Sequence, residues 1–190
     1  MDMLFSLWAP IIVSAVILFV ASSIIWMATP IHKNDYKNPG AHEGAILAAI
    51  RSWGLRPGLY LVPWSKGNQK DPVLAEKAKA GPWATITIMP GTPHMGKLLG
   101  AWFLHLVVVT IFIAYVGSVT LPAGAAYLMV FQVIGGAALL AHAGYALPMA
   151  IWHGMPWSQL PGRLFDGVVY TLLTAGTFGW LWPEAATTLN

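Results

Sequence analysis

Two histidines lie inside long apolar stretches of the sequence, where an ionisable side chain is unusual. His105 falls within the stretch 98–120 and His142 within the stretch 123–152. Haem iron accepts an axial histidine from each side, so facing imidazoles on neighbouring helices predict a b-type haem site or a quinone-linked redox protein. The alternative is that each imidazole forms a hydrogen bond inside a helix bundle, for instance with Gln132.

Three further histidines, His32, His94 and His153, lie near the ends of the apolar stretches, as does Asp166. Imidazole and carboxylate groups together suit Zn, Fe or Mn. If the helix ends converge, these side chains predict a metal site or a proton relay. Their spacing matches no established metal motif. The alternative is a set of interfacial histidines with a carboxylate near a helix N-terminus.

Asp166 has a second interpretation, because it falls just inside the apolar stretch 164–182. A carboxylate there lies at the membrane interface or acts inside the membrane. Arg163 offers it a neutralising partner at the i,i+3 spacing. Together with Gln132 and His142, Asp166 predicts a transport or proton path.

The stretch 91–98 (GTPHMGKL) is similar in spacing to a phosphate-binding loop but lacks the Ser or Thr that would follow the lysine. Nucleotide binding is therefore disfavoured. A glycine turn at the start of a helix, followed by a lysine that reaches toward the interface, instead predicts contact of Gly96 and Lys97 with a lipid headgroup.

No catalytic residue is assigned. The sequence contains no cysteine, which excludes disulfides, thiolate metal sites and cysteine nucleophiles. It also lacks a GxSxG elbow, an HExxH motif and a pair of carboxylates within one apolar stretch. Enzyme activity stays open as a disfavoured class.

The composition indicates that these residues are positioned by a membrane protein. Hydrophobic residues make up 57% of the 190, and Asp, Glu, Lys and Arg only 9%, against about 45–50% and about 25% in soluble domains. A chain of this size cannot hide so much apolar surface from water, so much of it must face lipid. Its cations form no basic stripe, which argues against nucleic acid as a partner.

Four apolar stretches are long enough to cross about 30 Å of hydrocarbon as helices. The predicted fold is all-α, a bundle of four transmembrane helices with a cytoplasmic loop of mixed short helical and β-like segments. Pro148 is expected to kink or end the third helix. The predicted organisation is helix one in 1–28, a loop in 29–96, a hairpin of helices two and three in 97–152, a second loop in 153–163, and helix four with a short outer tail in 164–190.

All ten Lys and Arg residues fall between apolar stretches, nine between the first and second and Arg163 between the third and fourth. The positive-inside rule therefore puts both loops in the cytoplasm and both termini outside.

The first loop is too short to bury a robust core by itself, so it should lie on the membrane or on a partner. Its stretch 41–53 predicts an amphipathic helix. The residues on the apolar face are Ile46, Ala49, Ile50 and Trp53. The stretches 56–63 and 83–90 are β-like, which predicts a small hairpin around a helical 72–80.

Segments near both ends of the chain support one resemblance. They are 22–27 (SSIIWM), Pro30, 32–36 (HKNDY), Asp166-Gly167 and 175–183 (AGTFGWLWP). With these segments the chain resembles small bacterial inner-membrane proteins of uncharacterised activity. The resemblance implies a bacterial inner membrane and carries over no activity, cofactor or site residue.

Three function classes fit these features. The favoured one is a non-catalytic accessory or assembly subunit that packs against other membrane subunits, or against its own copies, through faces of small residues. The second is a small oligomeric transporter or channel that uses Asp166, Gln132 and His142. The third is a b-haem or quinone-linked redox protein that uses His105 and His142. The small residues are Thr171, Ala175 and Gly179 in the fourth helix and Ala137, Ala141 and Gly144 in the third.

Overall fold

The computed structural model describes residues 2–64 and 71–185. These residues form a helical protein with one small sheet, so the predicted all-α class is confirmed at that level. The elements are α1 (Asp2–Ser6), α2 (Trp8–Ala28), α3 (Glu43–Ser52), β1 (Gly58–Val62), α4 (Pro72–Ala80), β2 (Ala84–Ile88), α5 (Met95–Thr120), α6 (Tyr127–Ala143), α7 (Ala146–Trp152) and α8 (Leu160–Trp180). Lys66, Lys70 and the end of the predicted outer tail lie outside the described residues.

Three helical segments of the described chain are long and apolar enough to cross a membrane: Trp8–Ala28, Met95–Thr120 and Tyr127–Trp152. The prediction of four such helices needs correction, because α8 is long enough but not apolar enough. Its 21 residues include Arg163, Asp166, three threonines and four glycines, which dilute the apolar side chains.

The long helices run antiparallel to their neighbours. The Trp102 indole of α5 donates a hydrogen bond to Ser22 of α2 (2.9 Å), and the Thr110 hydroxyl lies 3.4 Å from the Ile11 carbonyl oxygen. α6 and α8 also run in opposite directions, since Tyr127 is close to Gly179 at one end of the pair. The ends of α2, α7 and the starts of α5 and α8 therefore share one end of the bundle, which we call the junction end.

Small residues let α6 and α8 approach closely. A methyl group added to Gly167 would lie 2.6 Å from the Ala143 Cβ, and one added to Gly179 would lie 2.7 Å from the Tyr127 ring. Ala175, between them along α8, is fully buried. The small-residue face predicted for the last helix is thus a packing face, and it is used inside the bundle.

The predicted third helix is interrupted before its proline. α6 ends at Ala143 and α7 begins at Ala146, so the break lies at Gly144 and Tyr145. Pro148 has no amide hydrogen, and its ring clashes with the carbonyl group four residues earlier, which is that of Gly144. The break therefore precedes the proline by one helical turn.

The segment between α2 and α5 contains the predicted hairpin. β1 pairs with β2 in antiparallel register, with Tyr60 opposite Ile86. α4 spans Pro72–Ala80 within this hairpin, as predicted, and the Asp71 side chain accepts a hydrogen bond from the Val73 amide at its N-terminus. α3 is the predicted amphipathic helix.

Candidate functional site

A buried cluster of charged side chains lies at the junction end of the bundle. The His32 Nδ1 atom is 2.8 Å from Asp35 Oδ2, and the Nε2 atom is 3.1 Å from the Asp166 carboxylate. His32 is 6% exposed and Asp166 is 7% exposed. The imidazole therefore links a turn after α2 to the second turn of α8.

The local sequence explains how His32 reaches this position. α2 ends at Ala28, and Pro30 begins a turn in which the Asp35 amide donates to the His32 carbonyl oxygen (3.0 Å). Gly162 of α8 leaves room for the imidazole, because an added methyl group would lie 3.1 Å from His32 Cε1. The turn and the glycine together bring the ring to the start of α8.

Two more side chains complete the cluster. An Arg163 guanidinium nitrogen lies 3.4 Å from Asp35 Oδ2, and the Arg163 Cζ atom lies 4.7 Å from the centre of the Trp26 ring. Trp26 also stacks on His32 with 4.0 Å between ring centres and 2° between the planes. We call Trp26, His32, Asp35, Arg163 and Asp166 the junction cluster.

The junction cluster places the acidic side chains of Asp35 and Asp166 beside the basic side chains of His32 and Arg163. An imidazole can donate to a carboxylate at each nitrogen only as the imidazolium ion. In that state His32 and Arg163 supply two positive charges against the carboxylates of Asp35 and Asp166. Such a cluster can hold two segments together.

Comparisons of the chain with protein-family models, curated proteins and solved structures find no match. The function must therefore be argued from the arrangement of the residues. The resemblance to bacterial inner-membrane proteins stays a prediction.

Polar side chains continue from the junction cluster into the bundle along α8. Tyr170 is one turn beyond Asp166 and is buried, and Thr174 is one turn further. The Thr174 hydroxyl donates to the Tyr170 carbonyl oxygen (2.7 Å), so its hydrogen-bonding capacity is used within its own helix. By contrast, the buried Ser14 hydroxyl has no partner among the described residues.

The two histidines of the predicted haem pair have different surroundings. His105 is exposed on α5, where it stacks on Trp102 with ring centres 5.4 Å apart. His142, near the end of α6, is half-buried and contacts the Tyr170 ring edge-on at 5.7 Å. The buried His142 Nε2 atom has no hydrogen-bond partner among the described residues. Haem binding by His105 and His142 stays a prediction.

Gln132 does not join Asp166. It is exposed on the outward side of α6, five residues after the start of that helix. Asp166 is buried near the start of α8, which lies at the opposite end of the bundle. The hydrogen bonds among the described residues include none of the Gln132 side chain. Gly136, one turn further along the same side, is also exposed and has open space where a Cβ would lie. The structure therefore does not bring Gln132 next to Asp166, and the path through Asp166, Gln132 and His142 stays a prediction.

The predicted metal ligands also separate. His32 is engaged by the two aspartates, while His153 Nε2 lies 3.0 Å from the Tyr145 hydroxyl and His94 is exposed before α5. No group of three or more His, Asp or Glu side chains in residues 2–64 and 71–185 is arranged to hold a metal ion. Gly96 and Lys97 are exposed in the first turn of α5, where a headgroup could reach them.

Sequence reasoning placed His32 and Asp166 in one set of side chains at converging helix ends, but it missed Asp35 and the direct hydrogen bond between His32 and Asp166. The expected partner of Asp166 was Arg163, whereas Arg163 lies against Asp35 and Trp26. The His32–Asp35 spacing is the pattern that could have indicated the turn, since one turn brings residues three apart together. The contact of His32 with Asp166 depends on packing between distant segments of the chain, so no short sequence pattern indicates it.

Proposed function

We propose that the protein is a non-catalytic accessory or assembly subunit of a membrane complex, and that it packs against another membrane protein through the outward side of α6. The observation that carries this proposal is the position of Gln132. Its amide faces away from the bundle on a helix that is long and apolar enough, with α7, to cross a membrane.

An outward glutamine is costly in hydrocarbon unless its amide finds a hydrogen-bond partner. Contacts between membrane helices commonly combine such a polar side chain with small residues that let two backbones approach. Gly136 provides the small residue one turn from Gln132. The pair forms the kind of surface that a second membrane helix covers, and we call Gln132 and Gly136 the α6 contact face.

The proposed topology has four crossings, with α8 as the fourth, in a bacterial inner membrane. The antiparallel packing of α8 against α6 and α2 supports this, because a helix in that position extends between the same two ends as its neighbours. Its polar groups, Asp166, Thr171, Thr174 and Thr177, are buried against the other helices, which removes them from lipid. The positive-inside rule then puts the junction end in the cytoplasm and both termini outside.

The α6 contact face can be tested by photo-crosslinking in the native membrane. A photoreactive amino acid at Gly136 is expected to give one discrete adduct with a membrane protein. The matched control carries it at Phe112 of α5, which is 68% exposed on another helix. Adducts with lipid alone at both positions would contradict the proposal.

A second variant measures the contribution of the amide. Gln132→Leu keeps a side chain of similar size and removes the hydrogen-bonding group. Recovery of the crosslinked partner is expected to fall about threefold to tenfold, the range that single hydrogen bonds between membrane helices support. Unchanged recovery would show that the amide is not part of the contact.

A transporter or channel is the second candidate, and one observation favours it. The Asp166–His32 pair is buried at the junction end and is followed along α8 by the buried Tyr170. Intramembrane ionisable residues often mark ion or proton pathways. The same pair would also hold α8 to the α2 turn in an accessory subunit that transports nothing. Measurements of ion or proton flux therefore separate the transporter from the accessory subunit.

A further inference from the structure

We propose that the segment between α2 and α5 is also a membrane-binding module, and that the cleft between α3 and β2 lies on the anionic headgroup layer of the bilayer that the bundle spans. This inference concerns a different surface from the α6 contact face. It requires the membrane-spanning helices but no partner protein.

The cleft is open and mainly apolar. It has a volume of about 720 Å³. One wall is α3, which contributes Ile46, Ala49, Ile50 and Trp53, and the other is β2, which contributes Thr85 and Ile86. The side of α3 that the sequence predicts to be apolar is therefore the side that faces the cleft.

The elements around the cleft have no core beneath them. Every residue of α3, β1, α4 and β2 is exposed or half-buried, including Leu59 at 67% exposed. Trp53, directly after α3, is 51% exposed, and Trp83, directly before β2, is 58% exposed. Contiguous apolar surface of this kind marks an interaction site. Tryptophan is also the residue that is most typical of the interface between hydrocarbon and headgroups.

The fold holds the cleft near the helix ends. The segment leaves α2 at Ala28 and enters α5 at Met95, so both of its ends are at the junction end of the bundle. β2 also lies beside the connection between α7 and α8, because an added Gly154 methyl group would be 3.3 Å from the Thr85 hydroxyl oxygen. These connections hold the cleft at the junction end, where the proposed topology puts the cytoplasmic surface of the membrane.

The charge of the segment suits anionic lipid. Residues 29–96 contain eight Lys and Arg residues against four Asp and Glu residues, a net charge of +4. Arg51 and Arg56 lie beside the cleft wall formed by α3 and are exposed, and Glu43 is the one acidic residue of that helix. Basic residues beside an apolar helical face are typical of segments that lie in the interface of anionic membranes. We therefore infer lipid, with its negative headgroups, as the occupant of this surface.

The test uses the full-length protein and its lack of native cysteine. Ala49→Cys puts a spin label in the cleft, whereas Ala48→Cys puts the same label on the same helix but outside the cleft lining. Each variant is reconstituted in nanodiscs of phosphatidylcholine alone or of phosphatidylcholine with phosphatidylglycerol. Accessibility to oxygen and to a water-soluble nickel complex then reports the depth of the label.

In nanodiscs that contain phosphatidylglycerol, the label at Ala49 is expected to gain oxygen accessibility and lose nickel accessibility, while the label at Ala48 stays in water. Removing the charges with Arg51→Gln and Arg56→Gln is expected to lower the equilibrium constant for docking about fivefold per cation. Equal nickel accessibility at both positions would overturn the proposal. Protection of Ala49 only in native membranes would overturn it as well, because a protein would then cover the cleft. Neither result depends on the Gln132 crosslink, so the two proposals fail separately.

Discussion

The Nε2 atom of His32 lies 3.1 Å from the carboxylate of Asp166, although 134 positions separate the two residues in the chain. This contact joins the turn after α2 to α8, and both side chains are buried. Breaking a buried ion pair by removing one partner leaves the other charge without compensation. The stability of the junction end therefore depends on both residues.

His32→Ala is expected to lower the free energy of unfolding by about 3–5 kcal/mol, because two carboxylates then lose their shared donor. In a protein of this size that corresponds to a fall of roughly 6–20 °C in the thermal midpoint. The control is Lys33→Ala, which changes an exposed neighbour and should leave the midpoint unchanged. Thermal unfolding in detergent micelles measures both. Equal midpoints would show that the junction cluster is not a clamp.

The pairing itself can be measured by a double-mutant cycle. His32→Ala and Asp166→Asn should destabilise the protein less together than the sum of their separate effects, with a coupling of about 1–3 kcal/mol. Asp166→Asn combined with Lys33→Ala provides the additive reference. Strict additivity in the His32 cycle would mean that the two side chains do not interact in solution.

Close packing of α6 on α8 predicts a steric cost for Gly167→Ala. The new methyl group would lie 2.6 Å from the Ala143 Cβ and 3.0 Å from its Cα, so the helices must move apart. Overpacking of this kind costs about 1–3 kcal/mol. Gly100→Ala is the matched control, because it is also helical and has no atom within 4 Å of the added methyl group. Unfolding in a denaturant series measures both variants, and the free energy of unfolding should fall for Gly167→Ala but not for Gly100→Ala.

Proton or ion flux separates the subunit from the transporter. If the protein is an accessory subunit, purified protein in liposomes should give the same flux as empty liposomes, and Asp166→Asn should change nothing. A flux that the wild-type protein supports and Asp166→Asn abolishes would instead establish the transport class. Lys33→Ala is the control, because Lys33 is exposed and belongs neither to the junction cluster nor to the predicted path.

Haem content tests the redox class. For an accessory subunit we expect the protein, purified from haem-replete cells, to give no pyridine haemochrome spectrum. A spectrum that His142→Ala removes and His153→Ala retains would favour the redox class, since the His142 Nε2 atom is unpartnered in the described chain whereas His153 contacts Tyr145.

The elements with a local cause were predictable. Asp71 followed by Pro72 starts α4, the alternation in β2 indicates a strand, and the spacing of Ile46, Ala49 and Ile50 indicates the apolar side of α3. These features depend on neighbours in sequence, so short patterns contain them.

The junction cluster and the burial of α8 were not predictable in the same way. Arg163 and Asp166 have the spacing of a helical ion pair, yet each contacts a side chain from the α2 turn. Asp166 contacts His32, and Arg163 contacts Asp35, because packing of the α2 turn against α8 brings these side chains together. Apolar length also gives no indication that the polar groups of α8 are shielded by α2 and α6.

The composition of α8 has a consequence for biogenesis. Among the long helices of the described chain it is the least apolar, and it follows the others in the sequence. Its threonines and Asp166 are hidden only when the earlier helices surround them. A translocon that sorts segments by hydrophobicity would release such a helix poorly into lipid by itself. If α8 is the fourth crossing proposed above, its insertion therefore has to follow assembly of the helices that precede it, which supply the partners for its polar side chains.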